Sequence, residues 1–188
     1  RIEETWPPLD REQQTIDLGD CSNSGAFVGG GAPVVGGGQT LTIDCSSINP
    51  NAELHISGLV SIQLSTVPSF DGGQIFIEMQ DAQTGLRLGH ATMDVRYHAG
   101  GSEPQTVQPG AEVIMMMEFQ AIDALLPAGH GLKFVLSDTG EDYLAPACGN
   151  ACTLHVLPSL STLQIPIIYR DGSNIFLTSQ PSDAANNQ

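Results

Sequence analysis

Apolar and polar residues alternate with a period of two through the middle of the chain. From Glu53 to Ser65, Leu54, Ile56, Gly58, Val60, Ile62 and Leu64 fall on one face of an extended segment, and His55, Ser57, Ser61 and Gln63 fall on the other. A second strand, Gln74 to Met79, follows the turn at Asp71-Gly72-Gly73, and a third extended segment, Leu86 to His98, follows Thr84-Gly85. Glu112 to Ile122, Leu132 to Ser137, Cys152 to Leu157 and Leu163 to Ile168 complete the series. Short strands at this spacing, separated by turn chemistry, predict an all-β chain of the β-sandwich or jelly-roll type.

The flanks are less regular. Arg1 to Leu9 contains Pro7 and Pro8, which forbid helix and hold the residue before them extended. Trp6 is the single tryptophan, and either packs on the domain edge or anchors a neighbour together with Pro7 and Pro8. Residues 20–38 carry Gly29-Gly30-Gly31 and Gly36-Gly37-Gly38 and predict a long surface loop. Neither the lysine nor the following helix of a phosphate-binding loop is present. Length and pattern predict one domain over 1–168 and a polar C-terminal extension over 169–188.

Composition supports strands and turns over helices, with 21 Gly and 12 Pro in 188 residues. Only 6 Lys and Arg stand against 21 Asp and Glu, for a net charge of −15. Such a surface repels nucleic-acid phosphates and anionic lipid, and it keeps an exported protein soluble. No stretch approaches the roughly 20 apolar residues of a membrane-spanning helix. The chain begins with Arg1 and has no signal-like segment, as expected of a processed or excised piece of something longer.

Four cysteines permit three connectivities, and their positions favour near neighbours, Cys21 with Cys45 and Cys148 with Cys152. Zinc fits poorly, because Cys148 and Cys152 have three residues between them and Cys21 and Cys45 lie far apart. Disulfides imply an extracellular or cell-surface location. Asp138, Glu141 and Asp142 lie close together and offer carboxylate oxygens for calcium, but they lack the alternation of an EF-hand loop. The expectation is a solvated acidic turn, with calcium as the alternative. Met115-Met116-Met117 cannot converge on a soft metal from a regular strand, where successive side chains point to opposite faces; packing is the expected use.

No catalytic constellation emerges. The chain lacks the Gly-x-Ser-x-Gly nucleophile turn. His55, His90, His98, His130 and His155 are scattered over separate segments, with none of the spacings that hold a metal. The chain alone is not expected to be an enzyme or to need a cofactor.

One stretch has a recognisable pattern, Leu126-Pro-Ala-Gly-His-Gly-Leu-Lys-Phe-Val-Leu-Ser137. It resembles the P-A-G-H strand entry in the C-terminal domain of the X-Pro dipeptidyl-peptidase and cocaine esterase family of serine hydrolases. The neighbouring segments follow that family's order. Arg1 to Pro8 resembles its E-x-x-W-P entry, while Ile56 to Leu64, Gly89 to Tyr97 and Ser161 to Ile167 resemble its strands. The resemblance implies a galactose-binding-domain-like jelly roll that packs on an α/β-hydrolase catalytic domain, supports the substrate cleft and helps assembly. The family's catalytic triad lies in the hydrolase domain, so none of it maps here. Gly129 would serve a turn and His130 a local hydrogen bond. The chain departs from the pattern at Gly131, where the family commonly has a large residue, and in both cysteine pairs. The second functional expectation is a free-standing extracellular unit: a structural or adhesive subunit in a homo-oligomer or filament, or a carbohydrate-binding module.

Overall fold

A computed structural model describes residues 11–27, 32–46, 53–140 and 148–168. Trp6, Pro7, Pro8, Glu141, Asp142 and the extension 169–188 lie outside the described residues.

Thirteen strands form among the described residues: β1 (Arg11–Asp17), β2 (Ser22–Phe27), β3 (Pro33–Val35), β4 (Leu41–Cys45), β5 (Leu54–Gly58), β6 (Ser61–Pro68), β7 (Gln74–Asp81), β8 (Arg87–Asp94), β9 (Val113–Glu118), β10 (Ile122–Leu126), β11 (Leu132–Ser137), β12 (Leu154–Val156) and β13 (Thr162–Ile168). The pairings are antiparallel. They follow one path, β10-β5-β13-β6-β12-β3-β2-β4-β11-β7-β8, with β1 added beside β13 and β9 beside β6. β2 is the bridge, pairing with β3 on one side and β4 on the other. The two ends of the path come back together, where the Gln120 N–H donates to His90 O at 3.2 Å. The result is an all-β sheet, nearly closed and barrel-like.

Its interior is one apolar cluster, with Leu41, Ile56, Ile62, Leu64, Ile77, Met79, Met115 and Phe134 fully buried. The period-two reading of 53–65 holds at the level of side chains, since Leu54, Ile56, Val60, Ile62 and Leu64 all enter this core. The backbone interrupts it. Gly58 takes φ +137°, a conformation that a side chain disfavours, and the expected single strand becomes β5 and β6. The Glu112 to Ile122 segment is likewise divided, into β9 and the start of β10.

The long loop expected over 20–38 requires correction. Ser22–Phe27 and Pro33–Val35 are strands, and Ser22–Phe27 pairs with both Pro33–Val35 and Leu41–Cys45. The second glycine triplet is a hairpin turn: Gly36 and Gln39 exchange backbone hydrogen bonds of 3.0 and 3.2 Å around Gly37 and Gly38, both at positive φ. A two-residue hairpin turn twisted to match its strands needs positive φ at both centres, and two glycines supply it without strain.

Cys21 and Cys45 form one disulfide, and Cys148 and Cys152 the other. The first joins the residue before β2 to the last residue of β4, beside the Ser22–Asp44 pair of their ladder. The second spans the 3-10 turn Gly149–Ala151. Among the described residues, no helix is long and apolar enough to cross a membrane.

Candidate functional site

The connection from β10 to β11 holds the Pro127-Ala-Gly-His-Gly131 stretch, and it is the best-organised polar cluster of the described residues. Gly129 turns the chain at φ +83°, and the His130 N–H donates back to Pro127 O at 3.0 Å. The His130 ring reaches across to the end of β7, with Nδ1 2.8 Å from Asp81 Oδ2. Asp81 is buried and also accepts from the backbone N–H groups of Gln83 (2.9 Å) and Thr84 (3.2 Å). Gln83 returns the connection, its Oε1 accepting from the Gly131 N–H at 2.7 Å, while the Ala82 N–H donates to Gly131 O. Two turns far apart in sequence are thereby fastened together.

Burial pushes the Asp81 carboxyl upward, but the hydrogen bonds from His130, Thr84 and Gln83 outweigh it and hold the group at about 2. A carboxylate held by this many donors stays charged, and its hydrogen bonds fasten the two turns together. No hydroxyl or thiol among the described residues is hydrogen-bonded to the free ring nitrogen of His130, as a nucleophile would be. The sequence reading expected a local hydrogen bond for His130; the ring instead bonds to Asp81, 49 residues away, which that reading missed. The available signal was an aspartate opening the Asp81-Ala-Gln-Thr84 turn, where a carboxylate caps backbone N–H groups.

The remaining histidines do not join it. His55, on the outward face of β5, lies 2.6 Å through Nε2 from Asp123 Oδ1 on β10, and its buried Nδ1 has no hydrogen-bond partner among the described residues. His98 Nδ1 lies 3.0 Å from Val95 O, and His90 packs against the Phe76 ring with centroids 5.5 Å apart. His155 is on β12, opposite Val34 and Val67. Among the described residues no group of three or more His, Cys, Asp or Glu is placed to hold a metal ion.

Of the calcium candidates, Asp138 is the one described. Its Oδ2 accepts from the Gly37 N–H at 3.0 Å, which ties the β3–β4 hairpin to the end of β11. It borders an open cleft of about 450 Å³ with Thr40, Phe76, Glu78 and Ser137. Phe76, the one aromatic among its described lining residues, is 3% exposed. The methionine run alternates as a strand requires: Met115 and Met117 are buried and Met116 is 56% exposed.

No protein-family model matches this sequence, and no curated protein does. The solved structures do. In fold, the chain is similar to part of a CocE/NonD family hydrolase. That enzyme, from Staphylococcus aureus, aligns with 89% of this chain and 39% of its own, at TM-score 0.63 and 11% identity. An aminopeptidase from a marine sediment archaeon, Thaumarchaeota archaeon, gives TM-score 0.63 at 9% identity over 89% of this chain and 38% of its own. An α-amino acid ester hydrolase gives 0.55 at 14% identity, over 87% and 33%. The chain therefore spans between one third and two fifths of the hydrolases it matches. The likeness agrees with the family resemblance carried by Leu126–Ser137, and at these identities it is a likeness of fold.

Gly131 and the Cys21–Cys45 disulfide, both departures from the hydrolase pattern, meet in space. A Cβ on Gly131 would lie 2.3 Å from Ser46 Cα, next to Cys45. The backbone that leaves the disulfide occupies the room a larger residue at 131 would need.

Proposed function

We propose that this chain is the non-catalytic β-module of a larger exported serine hydrolase acting on peptides or esters, and that it packs on an α/β-hydrolase domain and walls one side of its substrate cleft. One observation carries the reading: the fold likeness takes in nearly the whole of this chain but only about two fifths of the hydrolases. The Pro127–Gly131 stretch adds to it, since its histidine is spent on holding two turns together. The strand pairing supports a jelly-roll sandwich. One group of ladders runs through β5, β6, β12 and β13, another through β4, β7, β8 and β11, and both contribute to the same core. Two disulfides favour an oxidising compartment.

The test is the polypeptide as it occurs in its source, treated with a fluorophosphonate that labels activated serines, then mapped by mass spectrometry. The expected result is one labelled serine, outside residues 1–188, on a polypeptide that contains this chain or is bound to it in equal amount. A native species of 19.8 kDa with no hydrolase partner would overturn the reading in favour of a free-standing subunit.

A further inference from the structure

Among the described residues β1 has one ladder, to β13, and is the outermost strand on that side of the sheet. The other strands with a single ladder, β8, β9 and β10, adjoin one another where the two ends of the path meet. An open edge is usually blunted by brevity, proline, lysine or a bulge. β1 is seven residues long, contains neither Pro nor Lys, and pairs with β13 without a register shift from the Arg11–Ile168 pair to the Asp17–Thr162 pair. The N–H and C=O groups that it does not turn toward β13 point away from it along a regular edge.

Those outward groups belong to alternate residues, so a second β1 adds antiparallel only if residues an even number apart stand opposite each other. The register that overlaps all seven residues has its two-fold axis at Gln14. It sets Arg11 opposite Asp17 of the second copy, Glu12 opposite Ile16 and Gln13 opposite Thr15, and the symmetry makes each of these pairs twice. No like charges face each other. Glu12, Gln14 and Ile16 lie beside the core residues Ile167, Ile165 and Leu163, so Arg11 and Asp17 share the outward face, where both are exposed. Asp17 Oδ1 accepts from the Gly19 N–H at 2.9 Å, and the carboxylate has a second oxygen for the pair. Arg11 has several N–H donors, enough for this pair beside its contacts within the chain.

We infer that two copies of this chain associate edge to edge through β1, antiparallel about Gln14, so that the sheet runs from β13 and β1 of one copy into β1 and β13 of the other. In strand addition of this kind backbone hydrogen bonds supply affinity, and the side chains fix the register. The net charge of −15 opposes self-association. At physiological salt, however, the Debye length is about 8 Å, so repulsion between distant charges is screened while groups facing each other across the seam still interact. The inference is independent of the module reading, because it needs this edge alone.

Sedimentation velocity of the 188-residue chain over a concentration series tests it, with a monomer–dimer equilibrium expected. Arg11→Asp and Asp17→Arg each bring like charges together at both ends of the seam and are expected to weaken association by about tenfold or more. The double variant restores opposite charges with the signs exchanged and is expected to return to within about threefold of the unaltered chain. Asp17→Arg also brings the net charge nearer zero, so a weakening by that variant does not come from overall charge. The register has a second readout. Gln14→Cys faces itself across the axis and is expected to form a disulfide between copies on mild oxidation, whereas two copies of Glu12→Cys stand about 13 Å apart and are not. A chain that stays monomeric at about 1 mM would overturn the proposal, as would a dimer that crosslinks equally at positions 12 and 14. Crosslinking at 14 without recovery in the double variant would overturn the Arg11–Asp17 pairs alone.

Discussion

A Cβ at Gly131 would sit 2.3 Å from Ser46 Cα and 3.0 Å from Ser46 O, contacts with backbone that no side-chain rotation relieves. Gly131→Ala is therefore expected to destabilise the fold by about 1–3 kcal/mol, the usual cost of overpacking, seen as a lower urea midpoint at unchanged slope. Asp81 is the second residue with a definite consequence. Its carboxyl is held at about 2, below its ordinary 3.8, so the native state binds fewer protons than the unfolded state between those values. Its contribution is complete above 3.8 and is lost as pH falls toward 2. Urea midpoints measured from pH 5 downward are expected to decline through that window, and Asp81→Asn to lower the plateau and flatten the decline. His130 was legible as a residue in a motif, but its role was not. Asp81 is 49 residues away, and no local pattern joins the two.

At the scale of elements, β9 tests the period-two reading most directly, because three identical side chains occupy two environments. Met115→Ala is expected to cost about 2–5 kcal/mol, since it empties a fully buried site, and Met116→Ala to stay within about 0.5 kcal/mol. Chemical denaturation of the two variants, side by side, reads the difference. Strands of this kind were visible in advance because one face is core and the other is not. β1 was not visible: of Arg11–Asp17 only Ile16 is buried, so the segment has no alternation to read. β3 was missed because it is three residues long and buried throughout, and a run that short carries no period. Apart from Phe27, β2 is built from Ser, Asn, Gly and Ala, whose small side chains read as loop, and its strand character comes from ladders to β3 and β4.

For the whole molecule, the disulfides differ in what they constrain. Cys21–Cys45 closes 24 residues and Cys148–Cys152 only 4. Loop-closure entropy grows with the logarithm of loop length, giving on the order of 3 kcal/mol for the first and about 2 kcal/mol for the second. Replacing Cys21 and Cys45 with serine is expected to lower the thermal midpoint more than replacing Cys148 and Cys152, as measured by calorimetry. The longer bridge also sits where Ser46 meets Gly131, so its loss loosens the contact that makes glycine necessary there. The charge imbalance belongs to this scale too. Of the described cations, Arg11 stands on β1, beside β13, Arg87 and Lys133 on β8 and β11, and Arg96 just after β8.

The sequence by itself determined the class of the protein: a strand-rich, acidic, disulfide-bonded chain without a nucleophile motif, with the Pro127–Gly131 stretch as a pointer to hydrolase-associated β-modules. These properties are local or compositional. Side-chain alternation, turn residues and charge are written in neighbouring positions and need no knowledge of what lies across the sheet. The tertiary structure decided what depends on residues distant in the chain: that 20–38 contains paired strands, that His130 closes on Asp81, and that Gly131 yields to Ser46. An antiparallel sheet whose path runs β10-β5-β13-β6-β12-β3-β2-β4-β11-β7-β8 sets most strands beside partners far away in sequence. Its pairing energy, and the surface that pairing leaves exposed, exist only once those partners have met.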